Sequence, residues 1–263
     1  MTRFTDVIRG WFGWCPMDTA GRQEPAKSIA GEPHDRDTAG AGPVERRTAL
    51  FLYLTLAVVG LSWITGIVAL PYLPEIIPVH WNIYGEPDGF AGRLAGTFGL
   101  PAIMTLVALL LVVLPRFERM REQFEESRDI YTMVVFAAMC LLLGIHITAL
   151  LSSAGLDLPV AVAFPVLLGF FFIVIGSLMP SIRRNTTVGF RLPWTVRDDT
   201  VWRRTHEHGG PVFVIAGILI ILASTAAGAA AMPVAFGIIV IACVYITVWS
   251  YRLARAGTTE AAE

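Results

Sequence analysis

Long uncharged apolar stretches alternate with short polar ones along most of the chain. Ala49–Leu70, Leu94–Leu114, Ile130–Leu151 and Val160–Met179 are followed by one run of 41 residues, Pro211–Tyr251. A helix needs about 20 apolar residues to cross ~30 Å of hydrocarbon, so the last run suffices for two crossings. A turn around Gly228–Pro233 would join them. Pro233 lacks a backbone donor and suits the start of the second crossing. A single long soluble helix would be apolar on every face, which water does not tolerate. The pattern predicts an all-α fold, a polytopic membrane bundle of six transmembrane helices.

Composition agrees with that environment. The 263 residues are 55% hydrophobic and 16% charged, with a mean hydropathy of +0.62. Soluble domains carry about 25% charged residues. A water-soluble globular enzyme is excluded, and so is disorder across the whole chain. The three cysteines give no disulfide framework or metal cluster: Cys140 and Cys243 sit in apolar runs and Cys15 in a polar tail.

Charge then sets the orientation, because basic residues gather on the cytoplasmic side. The segment before the first helix holds Arg3, Arg9, Arg22, Lys27, Arg36, Arg46 and Arg47. Four more lie in 115–129, six in 180–210, and Arg252 and Arg255 near the end. Arg93 alone falls on the other side. The expectation is a multi-pass cell-membrane protein with cytoplasmic N and C termini and residues 71–93 outside. The net charge of −1 resolves into about −3 outside and +2 inside an anionic inner leaflet.

The tail 1–46 is Gly-, Pro-, Ala- and Asp-rich without hydrophobic period from Cys15 to Val44 and reads as mostly disordered. Phe4, Val7, Ile8 and Trp11 have helical spacing. They fit either an amphipathic helix on the membrane or an unordered terminus, with Met17 as an alternative start; the second is preferred. Pro115–Asp129 carries Phe117, Met120 and Phe124 among nine charges and predicts a short cytoplasmic helix. No secretory signal is evident.

Two segments carry chemistry. The outer one, Pro78-Val-His80-Trp81-Asn82-Ile-Tyr84-Gly85-Glu86-Pro87-Asp88-Gly89-Phe90, contains turn residues in Pro87-Asp88-Gly89 and headgroup-type aromatics in Trp81, Tyr84 and Phe90. His80, Trp81, Asn82, Glu86 and Asp88 form the outer candidate binding set. A metal site from His80, Glu86 and Asp88 is set aside, because one histidine and two carboxylates at irregular spacing do not supply a ligand shell.

The inner segment, 180–210, holds six arginines whose simplest role is topology and contact with anionic lipid. Arg191, between Phe190 and Leu192-Pro193-Trp194, suits stacking on an aromatic ring or holding a carbonyl. Thr195 with Asp198 resembles a capping box and predicts a helix start, with Trp202 and His206 on one face and Gly209-Gly210 ending the helix. His206 and His208 are two apart and point to different faces, so zinc is discarded. Asn185-Thr-Thr matches a glycosylation sequon but faces the cytoplasm. The inner candidate set is Arg184, Asn185, Gly189, Arg191, Pro193, Trp194, Thr195, Trp202 and His206.

The two motifs, Pro78-Val-His80-Trp-Asn82…Gly85-Glu-Pro87-Asp88-Gly and Arg184-Asn185…Gly189-Phe-Arg191-Leu-Pro193-Trp194-Thr195…Trp202…His206…Gly209-Gly210, occur in the order seen in SdpI-like proteins. The chain resembles that family over most of residues 50–250. The first motif is similar to the domain of unknown function that precedes the family's own region. The resemblance implies a division into a 1–46 tail, a first membrane hairpin at 47–129, a four-helix SdpI-like region at 130–252, and a 253–263 tail. It further implies immunity against a secreted peptide toxin, with signalling through recruitment of a transcriptional repressor to the membrane.

Two other classes compete. A transporter or channel would need ionisable groups in the membrane, and there His146 stands alone, more naturally a hydrogen-bonded packing residue. A membrane enzyme finds no nucleophile–base or His-Glu-x-x-His pattern, and His80 and His206 fall on opposite sides. The reading is therefore a non-enzymatic recognition protein with no cofactor, no catalytic residue, no metal and no direct contact with nucleic acid. Ala- and Gly-rich stretches around Gly217, Ala226–Ala231 and Gly237 fit either packing within the bundle or a homo-oligomer.

Overall fold

The computed structural model describes residues 42–113, 125 and 127–260. The amphipathic segment at Phe4–Trp11, most of the 1–46 tail and nearly all of the helix expected at 115–129 lie outside the described residues.

Six long helices and one β-hairpin form the described chain: α1 (Pro43–Ala69), β1 (Ile76–Trp81), β2 (Pro87–Gly92), α2 (Arg93–Val113), α3 (Arg128–Ser153), α4 (Val160–Leu178), α5 (Asp199–Ala227) and α6 (Ala231–Glu260). Single 3-10 turns at Leu70–Tyr72, Met179–Ser181 and Gly228–Ala230 close α1 and α4 and join α5 to α6. Five helical stretches are long and apolar enough to cross a membrane, and the last, Asp199–Ala256, contains both α5 and α6. The bundle is mostly helical, but the outer segment is a two-stranded antiparallel sheet, so the all-α expectation needs correcting. Ile76, Ile77 and Trp81 are β-formers that pair with Gly92, Ala91 and Pro87, while Val79 falls at an irregularity in the register.

Helix α1 starts earlier than its apolar run. Pro43 takes the first helical position, and the Glu45 carboxylate accepts from the Gly42 amide at 3.0 Å. Its buried face is Thr48, Thr55, Val59, Ser62 and Gly66, whereas Leu56, Ile67 and Val68 point outward. In lipid the large apolar side chains can face the solvent, and small residues let helices approach closely. Thr55 and Ser62 hydroxyls donate to the carbonyls of Phe51 and Val59, so their burial leaves no open hydrogen bond. Val59 joins Met104, Ala108, Met139 and Leu143 in a core between α1, α2 and α3.

The α4–α5 pair makes a backbone-to-backbone contact. A Cβ on Gly169 would fall 2.8 Å from the Gly217 carbonyl, and one on Gly176 would fall 2.6 Å from that of Gly210. The two glycine pairs lie one heptad apart on antiparallel helices. Gly217 thus packs inside the bundle. This contact also explains why Gly209-Gly210 does not terminate a helix: α5 runs through both glycines and Pro211 to Ala227. The glycines are there for closeness to α4, where Gly209 meets the Met179 methyl group.

Candidate functional site

Two clusters stand at opposite ends of the bundle. At the hairpin end, the reversal is built by Asn82 and Gly85. The Asn82 side-chain oxygen accepts from the Tyr84 and Glu86 amides at 2.8 and 3.1 Å, and its Nδ2 donates to the Glu86 carboxylate at 2.9 Å. Gly85 has φ +78°, a conformation costly for other L-residues. A Cβ there would lie 2.5 Å from that of Ala161, so the turn rests directly on the start of α4. Trp81 meets Phe164 edge-on at 5.3 Å. The expected turn at Pro87-Asp88-Gly89 is instead strand β2, because the Asx turn at Asn82 already reverses the chain. Gly89 is small to admit the His80 side chain, whose Cβ would come within 2.9 Å of an added methyl.

His80 Nδ1 lies 2.5 Å from Asp88 Oδ1 on the hairpin surface. Asp88 is thus committed to His80 and Glu86 to Asn82. Among the described residues no group of three His, Cys, Asp or Glu side chains converges on a metal position.

Beneath the hairpin lies a cavity of about 720 Å³. Residues 77–83 roof it, and α2, α3, α4 and α6 wall it with Leu100, Ile103, Leu141, Phe164 and Phe236 among others. His146 lines it from α3, 2% exposed, its ring facing the Ser62 backbone. Its Nε2 has no hydrogen-bond partner. Sequence reasoning assigned His146 to packing and did not anticipate the cavity; its signal was the one histidine within the uncharged apolar stretches.

At the other end, residues 182–198 form an irregular loop clamped onto α5 and α6. Asn185, 1% exposed, donates to the Arg183 carbonyl at 2.7 Å and accepts from the Thr187 and Val188 amides. Gly189 has φ +118°, and a Cβ there would stand 2.5 Å from His206 Nε2. The next amide, Phe190 N–H, donates to that nitrogen at 3.0 Å. His206 Nδ1 donates to the Trp202 carbonyl at 2.8 Å, so both ring nitrogens are engaged and the imidazole is neutral. Trp202 stacks on His206 with ring centroids 4.2 Å apart and donates its indole N–H to Ile182 O at 2.9 Å.

The remaining inner residues complete this knot. Thr195 Oγ1 accepts from the Leu192 amide and lies 2.5 Å from the Phe190 carbonyl. Thr195 therefore folds the loop and does not start the helix. The N-cap is Asp198, whose carboxylate accepts from the Val201 amide at 2.9 Å. Trp194 Nε1 donates to Ser250 Oγ at 3.0 Å, tying the loop to α6. Arg184 pairs with Asp199 at 2.5 Å and donates to Val196 O. Arg191 is exposed, and its guanidinium donates to the Thr186 carbonyl. Pro193 is exposed beside Trp194. His208, outside the candidate set, stacks on Trp249 at 4.2 Å and reaches the Tyr245 hydroxyl at 3.0 Å.

The structure thus joins the buried Asn185, Thr195, Trp202 and His206 in one network, with the exposed Gly189, Arg191 and Pro193 at its surface, and keeps the hairpin set apart from it. Buried and mutually satisfied groups of this kind fix a conformation. Ser250, Gly169 and Gly176 also belong to these contacts and were not singled out from sequence.

Comparison with known proteins covers both ends. Residues 57–105 match DUF1648, a domain of unknown function, and residues 181–250 match the SdpI/YfhL protein family. The chain is 25% identical over 199 residues to the immunity protein SdpI of Bacillus subtilis (strain 168), spanning 76% of this chain and 93% of that protein. It is 38% identical over 47 residues to the uncharacterized membrane protein YbgB of the same organism, 18% of this chain and 52% of that one. No solved structure matches. The segment that contains the hairpin is thus similar to DUF1648, and the segment that contains the inner loop, α5 and most of α6 is similar to the SdpI/YfhL family.

Proposed function

We propose that this protein is a bacterial membrane immunity protein that protects its cell against a secreted peptide toxin. The observation that carries the reading is the alignment with an immunity protein along 93% of that protein's length. Six helices cross the membrane in this reading, with both termini and the 182–198 loop in the cytoplasm, as the segregation of basic residues favours. The hairpin then faces outward with Glu86 and Asp88 exposed, and the acidic outer surface attracts cationic peptides.

The inner knot holds a fixed loop surface with Arg191, Pro193 and Arg197 exposed, suited to recruiting a cytoplasmic transcriptional repressor. The inner arginines also sit against anionic lipid headgroups. This is recognition, not catalysis.

The test is to express the full chain in a sensitive strain and challenge it with a panel of membrane-active peptides. A rise in the inhibitory concentration of at least one peptide is expected; unchanged killing across the panel overturns the reading. Cysteine accessibility checks orientation: a cysteine at Tyr84 should react from outside and one at Arg197 only from inside.

A further inference from the structure

We infer that the cleft where Trp194 of the inner loop meets the end of α6 binds one anionic phospholipid, its phosphate between Arg252 and Arg255 and an acyl chain along Val248. The site is separate from the hairpin and the cavity beneath it, and it does not rest on the immunity reading.

Thr247, Val248, Tyr251, Arg252 and Arg255 stand at i, i+1, i+4, i+5 and i+8, so they share one face of α6. With Trp194 they line a cleft of about 500 Å³. The loop holds this face in place: Trp194 donates to Ser250 Oγ and meets the Tyr251 ring at 5.2 Å. Arg255 continues the stack, its guanidinium carbon 5.4 Å from the Tyr251 ring centroid. A guanidinium seated on a ring still presents its planar fork of N–H groups, the geometry that matches a phosphate.

The cleft straddles the membrane boundary, and this decides what occupies it. Thr247, Val248 and Tyr251 end the uncharged run Pro211–Tyr251, and Arg252 and Arg255 are the first charges after it. From Thr247 to Arg255 the face is about 12 Å long at about 1.5 Å per residue. One end therefore lies in hydrocarbon and the other at headgroup level. A soluble anion or an acidic protein meets the arginines but not the apolar end, whereas a phospholipid meets both. Residues three apart on a helix have Cβ atoms about 5–6 Å apart, so both guanidiniums reach one phosphate. Helix α6 carries no acidic residue from Ala231 to Thr259, and the acids nearest Trp194 in sequence are used elsewhere: Asp198 caps α5 and Asp199 pairs with Arg184. Two cations in a lining without an acid favour a net negative headgroup over a zwitterionic one, whose ammonium they repel. Bound lipid braces Trp194 against α6 and so steadies the inner loop.

The test uses the purified full chain in detergent and follows thermal unfolding as phosphatidylglycerol, phosphatidylcholine or inorganic phosphate is added. Phosphatidylglycerol should raise Tm saturably, and the other two should do so far more weakly. Arg252→Gln combined with Arg255→Gln should weaken the apparent affinity for phosphatidylglycerol about tenfold or more, through lost charge-assisted hydrogen bonds. Arg203→Gln combined with Arg204→Gln removes the same number of cations from exposed positions on α5, outside the cleft, and should bind as wild type. Val248→Trp fills the apolar end while both arginines remain, and it should weaken lipid binding. Ile241→Trp, exposed on the same helix but outside the lining, should not.

Equal losses in the two double arginine variants mean that diffuse surface charge holds the lipid, and they overturn the site. Stabilisation by inorganic phosphate that matches that by phosphatidylglycerol and survives Val248→Trp makes the ligand a soluble anion and overturns the lipid. If the arginine pair is needed for folding, the two tryptophan variants decide alone: equal affinity in Val248→Trp and Ile241→Trp overturns the inference.

Discussion

Gly189→Ala and Gly155→Ala place the same methyl group on two residues with positive φ, +118° and +92°, and the structure separates their consequences. At Gly155 nothing lies within 4 Å of the new Cβ. The cost is the backbone conformation alone, about 1–2 kcal/mol for an L-residue in the left-handed region. At Gly189 the same strain applies, and the Cβ also stands 2.5 Å from His206 Nε2 and 3.0 Å from the Trp202 ring. The imidazole has to retreat by about 1 Å to regain ordinary contact, and close packing around Trp202 resists this. Such a shift breaks the 3.0 Å bond from the Phe190 amide and leaves a buried acceptor open, about 1–3 kcal/mol.

Gly189→Ala should therefore cost about 2–5 kcal/mol. At roughly 2–4 °C per kcal/mol for a chain of this size, Tm should fall by about 4–20 °C, against about 2–8 °C for Gly155→Ala. Thermal unfolding of both purified variants in one detergent, followed by size-exclusion fluorescence, gives the comparison. Equal shifts for the two variants would refute the claim that Gly189 is needed for the ring behind it.

Gly217→Val should destabilise by about 1–3 kcal/mol or more, since its Cβ meets the Gly169 carbonyl at 2.5 Å, whereas Gly237→Val should be close to neutral in the same denaturation assay. Trp194→Phe and Ser250→Ala should couple in a double-mutant cycle by about 0.5–1.5 kcal/mol, the value of their hydrogen bond; strictly additive losses would contradict it. Gly85→Leu should release the hairpin from α4 at Ala161, seen as faster hydrogen exchange in residues 76–92 with little change in α5. Unchanged exchange there would mean that the hairpin is held by other contacts.

The helices were legible because crossing a membrane imposes length and hydropathy on a contiguous stretch, and both are visible without tertiary context. The segments between them were legible only as chemistry. Asn82 and Asn185 are short polar residues next to glycine-containing turns, yet sequence alone did not reveal that each folds its own loop through its side-chain oxygen. Asp198 and Thr195 compete for the same cap, and what decided between them was the Phe190 carbonyl and Leu192 amide that hold Thr195 inside the loop.

Gly209-Gly210 carries the same lesson in another form. A glycine pair before a proline reads as a helix end in water, where an exposed backbone is tolerable and the turn is the usual reason for glycine. Here α5 continues through that pair and Pro211, because the glycines let its backbone come close to α4. The glycines then serve a partner helix that is distant in sequence, and the spacing of Gly169 and Gly176 against Gly210 and Gly217 becomes meaningful only when α4 and α5 are antiparallel.

The same logic applies to His146. One imidazole in an uncharged helix fits packing as well as binding. What separates the two is whether neighbours from other helices satisfy it. Here α2, α4 and α6 stand back to leave a cavity on one side, while the ring itself is buried against the Ser62 backbone of α1, so packing is what the structure shows for it.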